Sequence, residues 1–213
     1  MIKVDNVSFS YGKHKILNNI SFEIPMGSCA CIIGANGCGK STLLSILTGT
    51  RKPLAGTVSF PDEKSVSYVP QDNPLLPDVT AKENLYLWFK GGKADFKAAL
   101  ESDYISMLGI KDFLNKPVKK LSGGMKKRLS IAIAIINNPS ILILDEPSAA
   151  LDLPCKMDIR AFLNDFIKKG GTVIITTHDE EELDLCSLLY VLKDSNLSQI
   201  ECTLRGSSLT ALL

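Results

Sequence analysis

Gly34-Ala35-Asn36-Gly37-Cys38-Gly39-Lys40-Ser41-Thr42 lies between an apolar run, Cys29-Ala-Cys-Ile-Ile33, and a leucine-rich stretch ending near Thr48. The spacing is G-x-x-x-x-G-K-[ST], set between a buried-type strand and a helix. Glycines let successive main-chain N–H groups turn inward around phosphate oxygens. The helix N-terminus that follows adds partial positive charge. In this pattern Lys40 reaches the β- and γ-phosphates of a nucleotide, the Ser41 hydroxyl ligates Mg²⁺, and Thr42 touches the α-phosphate. A glycine turn with an incidental lysine is the plainer alternative. The strand-to-loop-to-helix order argues against it and predicts an α/β sheet.

Working outward, a second apolar run, Ile141-Leu-Ile-Leu-Asp145-Glu146-Pro147, delivers two carboxylates at a strand end. Ligands of open α/β sheets bind at that edge. Asp145 is placed to hold Mg²⁺, directly or through water. Glu146, on the other side of the chain, is placed to polarise an attacking water as general base. A solvated acidic turn is the alternative reading of those two acids alone. Upstream stands Leu121-Ser122-Gly123-Gly124-Met125. Ser122 suits a helix N-cap, and two glycines allow a phosphate to approach closely. From that pentapeptide alone a simple helix cap is the better reading.

The remaining pattern fills in the scaffold. Near-alternation of apolar residues over 2–9 and a run over 16–24 predict two strands around a Tyr11-Gly12 turn. Short strands are expected at 56–60 and 65–69, then a Pro/Asn/Asp-rich loop over 70–80. Helical patterning covers 80–138, with stops near Gly91-Gly92, Gly109 and Pro117. Strands at 141–144, 172–176 and 188–192 alternate with helices at 155–168 and 180–186. Such alternation implies a mostly parallel sheet. The expected fold is α/β: a phosphate-loop core with a mixed, mostly parallel sheet, an N-terminal antiparallel β subdomain and an inserted helical lobe. As a single domain it covers 1–205, with the core at about 1–71 and 138–205, the lobe at about 72–137 and a short tail at 206–213.

Loop, strand-end carboxylates and the Leu-Ser-Gly-Gly element, in this order, resemble an ATP-binding cassette (ABC) ATPase over nearly the whole chain. The resemblance implies ATP and Mg²⁺ as ligands and ATP hydrolysis as the activity. It implies that Tyr11 stacks on adenine, and that Gln71 in Tyr68-Val-Pro-Gln71 senses Mg²⁺ and water and couples to a partner. It implies that His178 in Thr176-Thr-His178-Asp bonds the γ-phosphate and holds the attacking water, and that Asp152 lies at a dimer interface. Two cassettes would pair head to tail, with the 34–42 loop of one covered by Ser122, Gly123 and Gly124 of the other. Departures from the family pattern are Met125 for a usual Gln, Ala35 for a common Pro, Ile133 for a common Arg and Ala149 for a frequent Ser. None removes a phosphate donor or a Mg²⁺ ligand.

Composition bounds the role. The 213 residues carry 24 basic and 23 acidic side chains, so no global field draws the chain to nucleic acid. A local patch of Lys119, Lys120, Lys126, Lys127 and Arg128 remains open. No signal-peptide pattern opens the chain, and no run approaches the ~18 apolar residues of a bilayer span. The six cysteines include no C-x-x-C pair and read as small apolar residues in a reducing cytosol. Cys29 and Cys31 should share one face of a strand.

The resemblance therefore implies the nucleotide-binding subunit of a membrane transporter. It would sit in the cytoplasm, on the inner face of the membrane, through a separate permease subunit. The loop after Gln71 and the cluster Leu85, Leu87, Trp88 and Phe89 would supply the docking groove; packing inside the lobe explains Trp88 and Phe89 equally well. The alternative is a soluble cassette ATPase acting in assembly, translation or DNA maintenance, or a regulatory cassette that does not hydrolyse. Only about eighty residues separate Thr42 from Leu121, with no sustained heptads. That argues against the long coiled-coil insertions of DNA-maintenance ATPases.

Overall fold

A computed structural model describes residues 1–61, 66–206 and 209. Two sheets form the frame. The first is antiparallel, in the order β2-β1-β4, from β1 (Ile2–Tyr11), β2 (His14–Ile24) and β4 (Ala55–Ser59). The second has the order β5-β6-β7-β3-β8-β9. It is built from β3 (Cys29–Ile33), β5 (Val66–Val69), β6 (Ile141–Asp145), β7 (Thr172–Thr176), β8 (Leu188–Lys193) and β9 (Asn196–Ile200). Every pairing in it is parallel except β8–β9.

The three central strands β6, β7 and β3 are buried throughout, which explains their unbroken apolar runs. Alternate residues face opposite sides. Cys29, Cys31, Ile33, Leu142, Leu144, Val173 and Ile175 join the core shared with the helices that follow β5 and β6. Ala30, Ile32, Ile141, Ile143 and Ile174 face Leu43, Leu44 and Leu47 of α1 (Lys40–Leu47) and the first sheet. Burying each such aliphatic chain contributes about 1.5–3 kcal/mol, so this slab dominates stability. The expected shared face of Cys29 and Cys31 is present.

Between β5 and β6 lie α2 (Ala81–Trp88), α3 (Lys93–Ala99), α4 (Asp103–Met107), two 3-10 turns and α5 (Gly123–Ile135). A full capping box at Thr80 and Glu83 starts α2. Then come α6 (Leu153–Lys168), with Asp152 as N-cap, and the short α7 (Glu180–Leu183). The helix expected over 180–186 is thus only its first turn. β9 was not anticipated, because Asp194 and Ser195 make a tight turn with positive φ and its polar sequence lacks alternation. His14, expected in a turn, opens β2 opposite Tyr11 and is exposed. Of the expected strand at 65–69, Ser65 lies outside the described residues, as does most of the tail at 206–213.

Candidate functional site

The loop leaves β3 and enters α1 through a left-handed residue, Gly39, at the helix N-cap (φ 113°). A Cβ there would meet Ile16 Cγ2 at 2.6 Å, and one on Gly34 would meet the Leu192 carbonyl oxygen at 2.5 Å. Both positions therefore require glycine, one for backbone shape and space, the other for space alone. Gly37 is also left-handed, with nothing near its missing side chain. Lys40 is buried, and its Nζ donates to the carbonyl oxygens of Gly34 (2.7 Å) and Ala35 (3.3 Å). Among the described residues no carboxylate pairs with this ammonium. Ser41, the second residue of α1, is exposed to solvent, with Thr42 half-buried beside it.

The second strand end reaches the same place. Asp145 is buried at the end of β6, and its Oδ1 accepts from Thr176 Oγ1 at 2.6 Å. Glu146 follows with φ 45°, a left-handed conformation that costs a non-glycine residue energy. Its amide donates to the Thr176 carbonyl (3.0 Å) and lies 3.1 Å from Oγ1, which holds that conformation in place. The turn lifts the Glu146 carboxylate off the strand. There Oε1 lies 3.4 Å from His178 Nε2, and Oε2 lies 3.4 Å from Gln71 Nε2. His178 Nε2 is also 3.4 Å from Lys40 Nζ. Lys40, His178, Glu146 and Gln71 therefore form one chain of polar contacts across three strand ends and the loop after β5. Glu146, Ser148, Ala149, Lys156, Thr177 and His178 line part of an adjoining cavity of about 390 Å³.

Several supports were not legible in the sequence. Lys127, counted there in a basic patch, is buried inside α5. Its Nζ donates to the carbonyls of Pro70 (3.1 Å) and Gln71 (2.7 Å), fixing the loop that carries Gln71. Burial lowers its pKa, opposed by the nearby charges of Asp145, Asp72 and Glu146. Lys119 pairs with Asp78 and Arg128 with Asp158. Three of the five residues of that patch are thus spent on internal or paired roles. Behind His178, Thr177 donates to buried Glu182, whose pKa burial raises despite that bond. Asp179 caps α7 and pairs with Lys156 at 2.8 Å. Burial pushes the Tyr68 phenol up to about 12, with Asp145 adding to it.

Two predicted parts stand apart from this network. Ser122 caps α5, accepting from the Met125 amide at 3.2 Å. Gly123 has open space where a side chain would be, whereas Gly124 packs against Cys155. Tyr11 is half-exposed at the end of β1, edge-on to Phe9, with the Arg51 guanidinium 5.1 Å from its ring centroid. In the expected docking cluster, Leu85 is fully buried and packs inside the lobe, because it lies on the core face of α2. Leu87 and Trp88 are exposed, and Phe89 packs partly against the core. A groove of about 400 Å³ runs past Tyr68, Pro74, Leu75, Trp88 and Ile133.

The donor set suits the expected ligands. Glycines without room for a Cβ, a buried ammonium and a helix N-terminus match phosphate. The Ser41 hydroxyl, the Asp145 carboxylate and the Gln71 side-chain carbonyl are the oxygen ligands a hard cation such as Mg²⁺ takes.

Comparison with known proteins identifies the family. Residues 17–149 match the family model described as ABC transporter. The chain is 37% identical to the energy-coupling factor transporter ATP-binding protein EcfA1 of Mycoplasmoides gallisepticum, across 92% of this chain and 76% of that protein. A dimeric ATP-binding cassette, MJ0796, in a post-hydrolysis state with ADP and Pi, superposes with a TM-score of 0.82 at 28% identity, over 97% of this chain and all of that one. CbiO1 of Clostridium perfringens, part of the ABC transporter complex cbiONQ, gives 0.81 at 29% identity, over 94% and 88%.

Proposed function

The chain belongs to the ABC transporter family, and from that premise we propose how its residues carry out the work. It is an ATP-binding, ATP-hydrolysing subunit that powers a membrane transporter through dimerisation of two cassettes. The loop amides of Gly34, Ala35, Asn36, Gly37, Cys38 and Gly39, with Lys40, Ser41 and Thr42, hold the triphosphate, and Tyr11 stacks on the base. Mg²⁺, held by Ser41, Asp145 and Gln71, would neutralise charge on the phosphates. Glu146 accepts the proton of the attacking water, and His178 orients that water. Lys40 balances charge that builds on the γ-phosphate. The observation that carries this reading is the contact chain of Lys40, His178, Glu146 and Gln71 at one sheet edge.

One chain supplies half of each site. Ser122, Gly123 and Gly124 of a second cassette, the same chain or a paralogue, close over the nucleotide head to tail, with Asp152 at the interface. Among the described residues no helix is long and apolar enough to cross a membrane. A separate permease subunit then holds the cassette on the cytoplasmic face, seated in the groove of Leu75, Trp88 and Ile133. Lys127 links that groove to Gln71, and so to Glu146. Phosphate release by the purified chain, measured against protein concentration, tests the dimer. Turnover per chain should rise with concentration and saturate. A constant turnover per chain at all concentrations, or none with Mg²⁺ and ATP, would overturn the reading.

A further inference from the structure

Four of the six cysteines gather around one end of β3 and the β8–β9 hairpin, a place the nucleotide chemistry does not use. Cys29 opens β3, at the end opposite the phosphate loop, and Cys186 sits on the turn after α7. Their Sγ atoms are 3.4 Å apart. The backbones already adjoin, since the Ser187 amide donates to the Cys29 carbonyl at 2.9 Å. Cys29 is buried, whereas Cys186 is only partly buried.

We propose that Cys29 and Cys186 are a redox-active pair that forms a reversible disulfide when a hydroperoxide reaches Cys186. The Cys186 thiolate attacks the peroxide oxygen, the O–O bond breaks, and the departing oxygen takes up a proton to leave as water or alcohol. This gives a sulfenic acid on Cys186. The Cys29 thiol then attacks that sulfur, the S–O bond breaks and water leaves. Two thiols are oxidised by two electrons in all, and one peroxide is reduced.

The surroundings suit these roles. Hydrogen bonds from the Cys29 and Cys31 thiols, helped by the Arg205 charge, lower the Cys186 pKa against the opposing effect of burial, which favours its thiolate as the attacking form. The same contact and burial push Cys29 well up, leaving it a thiol until the sulfenic acid forms beside it. Closing the gap from 3.4 Å to the ~2.0 Å of a disulfide is a movement on side-chain scale. The bridge would join the strand that feeds the phosphate loop to the turn after α7, the helix next to His178 and Asp179.

The test treats the purified full chain with hydrogen peroxide, then maps peptides and melting. A linked Cys29–Cys186 peptide about 2 Da lighter than its two reduced parts should appear, and a thiol reductant should remove it. The melting temperature should rise by several degrees with the bridge and fall back on reduction. Cys29→Ser should instead accumulate sulfenic acid on Cys186, trapped by a dimedone probe. Cys155→Ser should bridge like the parent. A bridge from Cys186 to Cys31 or Cys202, a Cys186 that stays reduced while free cysteine is oxidised, or over-oxidation with no linked peptide would each overturn the proposal.

Discussion

The phosphate-loop edge of the six-stranded sheet and the N-terminus of α5 are both glycine-containing helix starts, yet they are built differently. At the first, Gly34 and Gly39 are wedged against Leu192 and Ile16, and Lys40, Asp145 and Glu146 are all tied to other elements of the same chain. At the second, Ser122 bonds its own helix and Gly123 faces open space. The first region is assembled by the fold; the second is presented by it. Gly123, unlike Gly124 against Cys155, is required by nothing in its own chain, and there a second molecule can close.

That contrast yields predictions of decreasing size. Glu146→Gln keeps the shape and removes the base, so phosphate release should fall by roughly 10²- to 10⁴-fold while labelled ATP still binds. Turnover at the parent rate would remove Glu146 from its role. Lys40→Ala should weaken Mg-ATP binding by roughly 10- to 100-fold in calorimetry, the worth of a charge-assisted hydrogen bond. Gly123→Asp separates the two regions most cleanly. Its backbone does not need glycine and an added Cβ meets nothing within 4 Å, so stability should stay within about 1 kcal/mol of the parent. Turnover should nevertheless collapse, because a carboxylate would face the partner's phosphates.

Two smaller effects sharpen the account of the supports. Lys127→Met leaves the Pro70 and Gln71 carbonyls without their donor and should cost about 1–3 kcal/mol in denaturant unfolding. Glu182 gives the smallest signal. Its folded pKa is raised by burial, so the native state holds the proton longer than the unfolded chain does. Its contribution is full below the ordinary glutamate pKa and is lost as pH rises through the folded value. Glu182→Gln should flatten that part of the stability profile; an unchanged slope would remove Glu182 from it.

The same contrast explains what was legible. Motifs within a few residues carry their own geometric demands, so the 34–42 loop, the acids after β6 and the Ser122 cap stood out. Their partners did not. Thr176 meets Asp145 across two strands, and Lys127 reaches back to Pro70 from a different helix. Nothing local marks a threonine as a carboxylate's donor, or a lysine in a basic run as the buried one. Leu85 and Leu87 are similar in composition and two apart, yet opposite faces of α2 bury one and expose the other. Arg51 beside Tyr11 was equally silent, since its position follows from the packing of the first sheet on α1.

The most direct test of a site shared between two chains is complementation. Lys40→Ala carries a sound Gly123 surface, and Gly123→Asp carries a sound phosphate loop. Each alone should release almost no phosphate, while their mixture should recover a substantial part of the parent turnover, because one site of the mixed dimer is intact. A mixture as inactive as its parts, at concentrations where the parent chain turns over, would contradict the account.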